Sequence, residues 1–294
     1  MKHKILKRTL KITGLVLLVL AAYVVGLFGL GGKIFTANNW HQTNRPVPTI
    51  LIPGYAGNST STDMLISRLT RDGYGYRSLK AYVKSNGQVE YSGSWYRDEK
   101  DPLVQVVFQN NTEPDYHKTA SWIGEILSHL HRTYGVKQYN AIAHSYGNNA
   151  LVYYMAKHRE SPRPARIVTV ASSVDAEKSE ILAYHRGRAG KMARYLKENI
   201  DDENWYSGSH SPFQGQKFDV LNIYGTFGSQ NGDTSVSHTA ARGMRKVFAG
   251  VNGTYQEKEF DGLRAQHSAL VRSNSGVADS IAGFLKTESN ETNS

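Results

Sequence analysis

The sequence predicts an α/β fold, a mainly parallel sheet flanked by helices, preceded by one membrane-spanning helix. Three observations predict it. Short apolar runs rich in β-branched residues alternate with helical stretches along the body of the chain. A turn of small residues around a serine, Ala143-His144-Ser145-Tyr146-Gly147, stands where one such run passes into a helix. Ile12 to Leu30 form an uncharged run near the N-terminus.

That run places a transmembrane helix at residues 12–31, because roughly 20 apolar residues rising 1.5 Å each cross a hydrocarbon core of about 30 Å. Lys2, Lys4, Lys7, Arg8 and Lys11 precede it with no acidic residue. The positive-inside bias makes residues 1–11 a cytoplasmic segment and puts the rest of the chain on the outer face. A cleaved signal peptide is the second reading, from the small step Ala21-Ala22. The apolar residues continue past it to Leu30, longer than a signal core needs. Residues 32–46 are polar and aperiodic, a linker.

The net charge of +10 is unevenly placed. With Lys33, the first 33 residues hold six basic side chains, leaving 29 basic and 25 acidic residues for the remainder. A body so nearly balanced is a solvated surface, and no nucleic-acid partner is expected. The absence of Cys excludes disulfides, thiolate metal sites and a Cys nucleophile.

Residues 47–286 form the predicted domain. Val47–Ile52 reads as a buried strand ending at a Pro53-Gly54 turn. Tyr76–Val83 and Gln88–Tyr91 flank Ser85-Asn86-Gly87 as a hairpin, and Leu103–Phe108 is a further buried strand. Ile123, Ile126, Leu127 and Leu130 recur at helical spacing and predict a helix over about 116–133. Gln138–Ala143 is a strand, Tyr146–His158 a helix and Arg166–Ala171 a strand. Lys217–Tyr224 and Thr254–Phe260 are the last two strands, with a helix near 238–248 between them and a closing helix at Val277–Lys286. Residues 174–215 interrupt the alternation with a polar, aromatic and basic insertion, too long for an idle loop, and read as a cap. Residues 287–294 are a disordered polar tail.

Ser145 is the candidate nucleophile. A strand-to-helix elbow forces its central residue into a strained backbone and requires small neighbours two positions away, here Ala143 and Gly147. A serine needs a base at neutral pH, and the chain order nucleophile, acid, base places that base after the last strand. His267 stands there, before the closing helix. His144 adjoins the nucleophile but strand alternation points it away, His238 falls near a helix start, and His185 and His210 lie in the insertion. The acid should follow the penultimate strand, where Gly228–Thr234 carries Asp233 as its one carboxylate; Asp175, after the preceding strand, is the rival. Oxyanion donors are expected at the backbone N–H of Tyr55, after the first strand, and of Tyr146, at the helix start. No metal-binding spacing or phosphate loop stands out, and no cofactor is expected.

The run Thr49 to Asn58, followed by Val83 to Gly87, Pro102 to Asn110, Trp122 and the Ala143–Gly147 elbow, resembles an uncharacterised α/β-hydrolase family described as cell-surface hydrolases of Gram-positive bacteria. The likeness spans residues 47–286. Members show His-Gly at the place of Pro53-Gly54, Gly-His-Ser-Met-Gly-Gly at Ala143 to Asn148, and Ser-Asp-Gly ahead of a Val at Gly232 to Val236. Asn148 and Thr234 thus stand where members carry Gly. The Ala-His-Ser start is also similar to small bacterial lipases. The resemblance implies an α/β-hydrolase fold with Ser145, Asp233 and His267 as a triad.

The expected function is a membrane-anchored extracytoplasmic serine hydrolase cleaving a small-molecule or lipid-like carboxylic ester. Two alternatives remain: a surface binding module without turnover, and an acyltransferase or amidase using the same triad. Arg186, Arg188, Lys191, Arg194 and Lys197 give the insertion a basic face, either merely solvated or set to attract anionic substrates or lipid headgroups.

Overall fold

The computed structural model describes residues 47–96, 100–174, 191–192, 194–195, 198 and 211–286. The predicted membrane span at 12–31, the linker at 32–46, the tail at 287–294 and most of the predicted cap lie outside these. Among the described residues no helix is long and apolar enough to cross a membrane.

Eight strands form one sheet: β1 Thr49–Ile52, β2 Tyr76–Val83, β3 Val89–Gly93, β4 Pro102–Phe108, β5 Gln138–His144, β6 Arg163–Val170, β7 Asp219–Thr226 and β8 Tyr255–Asp261. Their order is β3-β2-β4-β1-β5-β6-β7-β8. Only β3 runs antiparallel, paired to β2 through the predicted hairpin. β1, β4 and β5 form the centre and are buried along nearly their whole length. That burial is why they read as continuous apolar runs rather than alternating ones.

The helices whose bounds fall within the described residues are α1 Ser59–Arg71, α2 Tyr116–Tyr134, α3 Gly147–Lys157, α4 His238–Arg242, α5 Met244–Val247, α6 Ala269–Arg272 and α7 Ser275–Lys286. In α2 the stripe Ile123, Ile126, Leu127 and Leu130 is fully buried. Asp115 caps its N-terminus by accepting from the N–H groups of His117 and Lys118. Gly135 ends it with a left-handed φ of 68°. On the other side of the sheet, α1, α6 and α7 pack together: Leu65, Ile66, Leu69, Leu270, Val271, Val277 and Ile281 share one apolar cluster with Leu51, Val168 and Ile223 of the sheet.

Three differences from the sequence reading matter. Helix α1 was not predicted, because its sequence STSTDMLISRLTR is polar for its first turn. Its start signal is a reciprocal cap: Asn58 accepts from the backbone N–H of Thr60 while the Asn58 N–H donates to Ser61 Oγ at 3.0 Å. The helix expected near 238–248 is two short helices, broken at Gly243. β6 begins at Arg163, three residues earlier than expected, with Pro164 tolerated where the register shifts beside Tyr139.

Candidate active site

The parallel strands end on one edge of the sheet, and the loops that follow β1, β5, β7 and β8 meet there. Ser145 follows β5 directly and has φ 52°, a left-handed backbone that costs a non-glycine residue about 1 kcal/mol or more. The elbow is held from both sides. The Ser145 N–H donates to Val170 O at 2.9 Å, and its carbonyl accepts from the N–H of Asn148 at 3.0 Å. The fully buried Asn148 side chain adds two bonds, from Nδ2 to Ser145 O at 2.9 Å and to Val170 O at 3.1 Å. Asn148 therefore staples the nucleophile's turn to the end of β6.

Two glycines let the first loop lie against this turn. A Cβ on Gly147 would come within 2.5 Å of Pro53 O, and one on Gly54 within 2.8 Å of Ser145 Cβ. No side chain fits at either place. Tyr55 follows Gly54 in that loop, and its ring meets the Tyr146 ring edge-on, with centroids 6.5 Å apart. Tyr146 caps α3, and its hydroxyl donates to Pro114 O. The positive end of α3 thus begins one residue beyond Ser145.

His267 lies in the loop between β8 and α6. Its Nε2 is 2.8 Å from Ser145 Oγ, and its Nδ1 is 2.9 Å from Asp233 Oδ2. The imidazole is 12% exposed and the Asp233 side chain 1%. Asp233 Oδ1 accepts from the N–H groups of Ser235 and Val236 at 2.9 and 2.8 Å, so every oxygen of this buried carboxylate is partnered. The acid loop is itself strained. Thr234 has φ 86°, rare for a β-branched residue and a conformation that Gly would adopt without strain. Its hydroxyl accepts from Gln266 Nε2 at 3.1 Å, and Gln266 Oε1 in turn accepts from the N–H groups of Ser268 and Ala269.

The structure brings Ser145, Asp233 and His267 into one hydrogen-bonded line, and it sets Tyr55 and Tyr146 beside the serine. The rival acid Asp175 lies outside the described residues, as do His185 and His210. His238 engages Thr226 Oγ1 at 2.7 Å and lies 3.6 Å from Glu259, apart from the line. Of the basic cap positions only Lys191 and Arg194 are described, both helical. Among the described residues no group of three or more His, Asp or Glu is placed to hold a metal ion.

Sequence reasoning missed what His144 does. The base loop wraps to meet its ring: Nε2 lies 3.1 Å from His267 O, and the two imidazoles are 4.8 Å apart at 44°. Burial, with the neighbouring His267 ring adding to it, lowers the His144 pKa to about 3. No pattern in the chain announces this, since it depends on where a loop 123 residues away passes.

The family model for alpha/beta hydrolases of unknown function, DUF915, matches residues 37–288. No curated protein matches the chain significantly. Among solved structures, a gene product of Listeria innocua superposes with a TM-score of 0.65 at 22% identity, covering 84% of this chain and 97% of that one. A candidate cell surface hydrolase from Lactobacillus plantarum superposes with a TM-score of 0.60 at 22% identity, covering 83% and 91%. Both likenesses lie in the fold. Strand order, elbow and family match agree, and the chain belongs to the DUF915 family of alpha/beta hydrolases.

Proposed function

We propose that this protein is a serine hydrolase that cleaves a carboxylic ester, with Ser145 as nucleophile, His267 as general base and Asp233 as the carboxylate that orients it. The observation that carries this reading is the line of hydrogen bonds itself, 2.8 Å from Ser145 to His267 and 2.9 Å from His267 to Asp233, built on a strained elbow. Nothing in the packing of a merely structural serine calls for a left-handed backbone aimed at an imidazole.

In this reading Ser145 Oγ attacks the ester carbonyl while its proton passes to His267 Nε2. Asp233 accepts from Nδ1–H, fixing the tautomer and stabilising the imidazolium. The N–H groups of Tyr55 and Tyr146 receive the oxyanion, beside the positive end of α3. The imidazolium then protonates the departing alcohol. Water, activated by the same imidazole, cleaves the acyl-enzyme and restores Ser145. The chemistry uses only side chains and backbone groups of this chain.

The uncharged run over 12–31 and the basic residues before it support anchorage in the cell membrane with the hydrolase domain outside, in line with the surface location in the description of the Lactobacillus structure. A lipid-like or small-molecule ester is the substrate class proposed.

The test uses the full-length chain in detergent, a fluorophosphonate probe and a panel of short- and long-acyl esters. Wild type should label and hydrolyse, and Ser145→Ala should do neither. Labelling that survives Ser145→Ala would give the nucleophile to another residue.

A further inference from the structure

We propose that His144 is a positioning residue for His267, its Nε2–H holding the main-chain carbonyl of the base so that the imidazole meets the Ser145 hydroxyl. This deepens the serine-hydrolase reading and rests on it.

The chemistry of the contact assigns the proton. A carbonyl oxygen only accepts, so the nitrogen 3.1 Å from His267 O must donate. The ring is held neutral by burial, which leaves one N–H, and that hydrogen sits on Nε2. Nδ1 is then the bare nitrogen, on the side where Gly54 approaches. A Cβ at Gly54 would clash with Ser145 Cβ at 2.8 Å and crowd His144 O at 3.0 Å while just touching this ring, 3.4 Å from Nδ1, so the first loop lies directly against the His144–Ser145 step.

His144 completes the fixing of the base. The His267 N–H donates to Asp233 O at 2.7 Å, and its Nδ1 lies on Asp233 Oδ2. Those contacts tie one side of the residue to the acid loop. The bond from His144 ties the other side to β5, the strand that delivers Ser145. The hydroxyl-to-imidazole distance therefore spans two adjacent residues, the last of β5 and the first of the elbow, rather than two independent loops. Positions along a strand are stiff, and an error of 1 Å at reacting atoms costs on the order of 100-fold in rate.

Neutrality also matters. The groups acting on His144 are His267, Asp233 and Arg272, alongside the backbone bond to His267. A cation at His144, with its ring 4.8 Å from that of His267, would oppose the imidazolium that forms when the base takes the serine proton. A half-buried, neutral donor supplies the hydrogen bond without that repulsion.

The experiment compares wild type, His144→Phe, His144→Ala and His144→Gln in the full chain, with Ser145→Ala as control. Three readouts are taken: kcat and KM on the best ester of the panel, the rate of fluorophosphonate labelling, and the low-field proton signal of the His267–Asp233 hydrogen bond. His144→Phe keeps ring volume and removes the donor. It should lower kcat and labelling about 10- to 100-fold with KM within about 2-fold, and broaden the low-field proton. His144→Gln restores a donor and should recover most of the rate and the sharp signal. If His144→Phe does not fold, His144→Ala takes its place. Wild-type kcat in a folded donor-less variant, or a His144→Gln as slow as His144→Phe, would overturn the proposal. If Ser145→Ala stays active, the triad reading on which this proposal rests fails. An inactive Ser145→Ala beside a fully active His144→Phe refutes only the role of His144.

Discussion

The main-chain N–H of His267 donates to the main-chain carbonyl of Asp233 at 2.7 Å, so these two residues are joined through their backbones as well as through their side chains. The pairing makes the carboxylate and the imidazole one rigid unit. A change on the side chain of Asp233 should therefore alter the chemistry of the pair while leaving its placement intact.

Asp233→Asn tests that separation. The amide keeps the shape of the carboxylate but offers an N–H toward Nδ1 or loses the charge that stabilises the imidazolium. We expect kcat to fall by roughly 10³ to 10⁴, with KM and the thermal midpoint changing far less. Steady-state kinetics and a circular-dichroism melt measure both. A variant within tenfold of wild type would remove Asp233 from the reaction.

Gly147→Ala tests the fit between the elbow and the first loop. Its Cβ would sit 2.5 Å from Pro53 O and 3.1 Å from Ile52 Cγ2, where neither backbone nor buried strand can yield cheaply. Overpacking of this kind costs about 1–3 kcal/mol. Melting should come several degrees earlier, and labelling of Ser145 should slow because the loop bearing Tyr55 is pushed away.

Asp101→Asn tests a cost stored at the opposite end of the sheet. Asp101 has φ 53°, and burial raises its carboxyl pKa above the ordinary 3.8, against the pull of Lys100 and Arg166. A raised carboxyl favours the fold below the unfolded value and loses that contribution as pH rises through the folded value. At pH 7 the charged form is thus a burden, and Asn tolerates the left-handed backbone at least as well. The variant should melt higher than wild type at pH 7, and the gain should close as the pH is taken below 3.8. A lower midpoint at pH 7 would show that the carboxylate is stabilising after all.

His144 should also leave a mark on acid stability. Its folded pKa is depressed to about 3 from 6.5, so its contribution is present above 6.5 and is lost as pH falls toward 3. Within that window the unfolded chain binds a proton that the fold refuses, with a limit near 1.4 kcal/mol per pH unit for one proton. His144→Gln should flatten the decline in midpoint between pH 6.5 and 4. Parallel melts for the two proteins check it, and equal slopes would mean that the ring charges without cost.

Several parts of the site were legible in the chain because local rules dictate them. An elbow needs small residues on each side of the serine, and Ala143 and Gly147 supply them next to a β-branched strand and a helix. The fully buried strands announce themselves by composition, and the stripe of α2 by its period. Helix α1 was not legible in the same way: Leu65, Ile66 and Leu69 are its main apolar contacts, too few to establish a period, and only Asn58 with Ser61 marks its start. Asn148 and Thr234 were visible as departures from relatives, but their consequences were not. The first proves to be a staple between Ser145 and Val170, the second a strained turn tied to Gln266.

By itself the sequence determined the α/β class, the order of the strands along the chain, the strained serine turn and the short list of partners it could have, because hydrophobic period, turn chemistry and residue type act over a few neighbouring positions. Only the tertiary structure decided that the loops at 233 and 267 close on Ser145 within hydrogen-bond reach, and that His144 Nε2 meets the main-chain carbonyl of His267. Those contacts join residues 34 to 123 positions apart. No local preference encodes such a distance; it follows from the packing of whole strands and helices against one another.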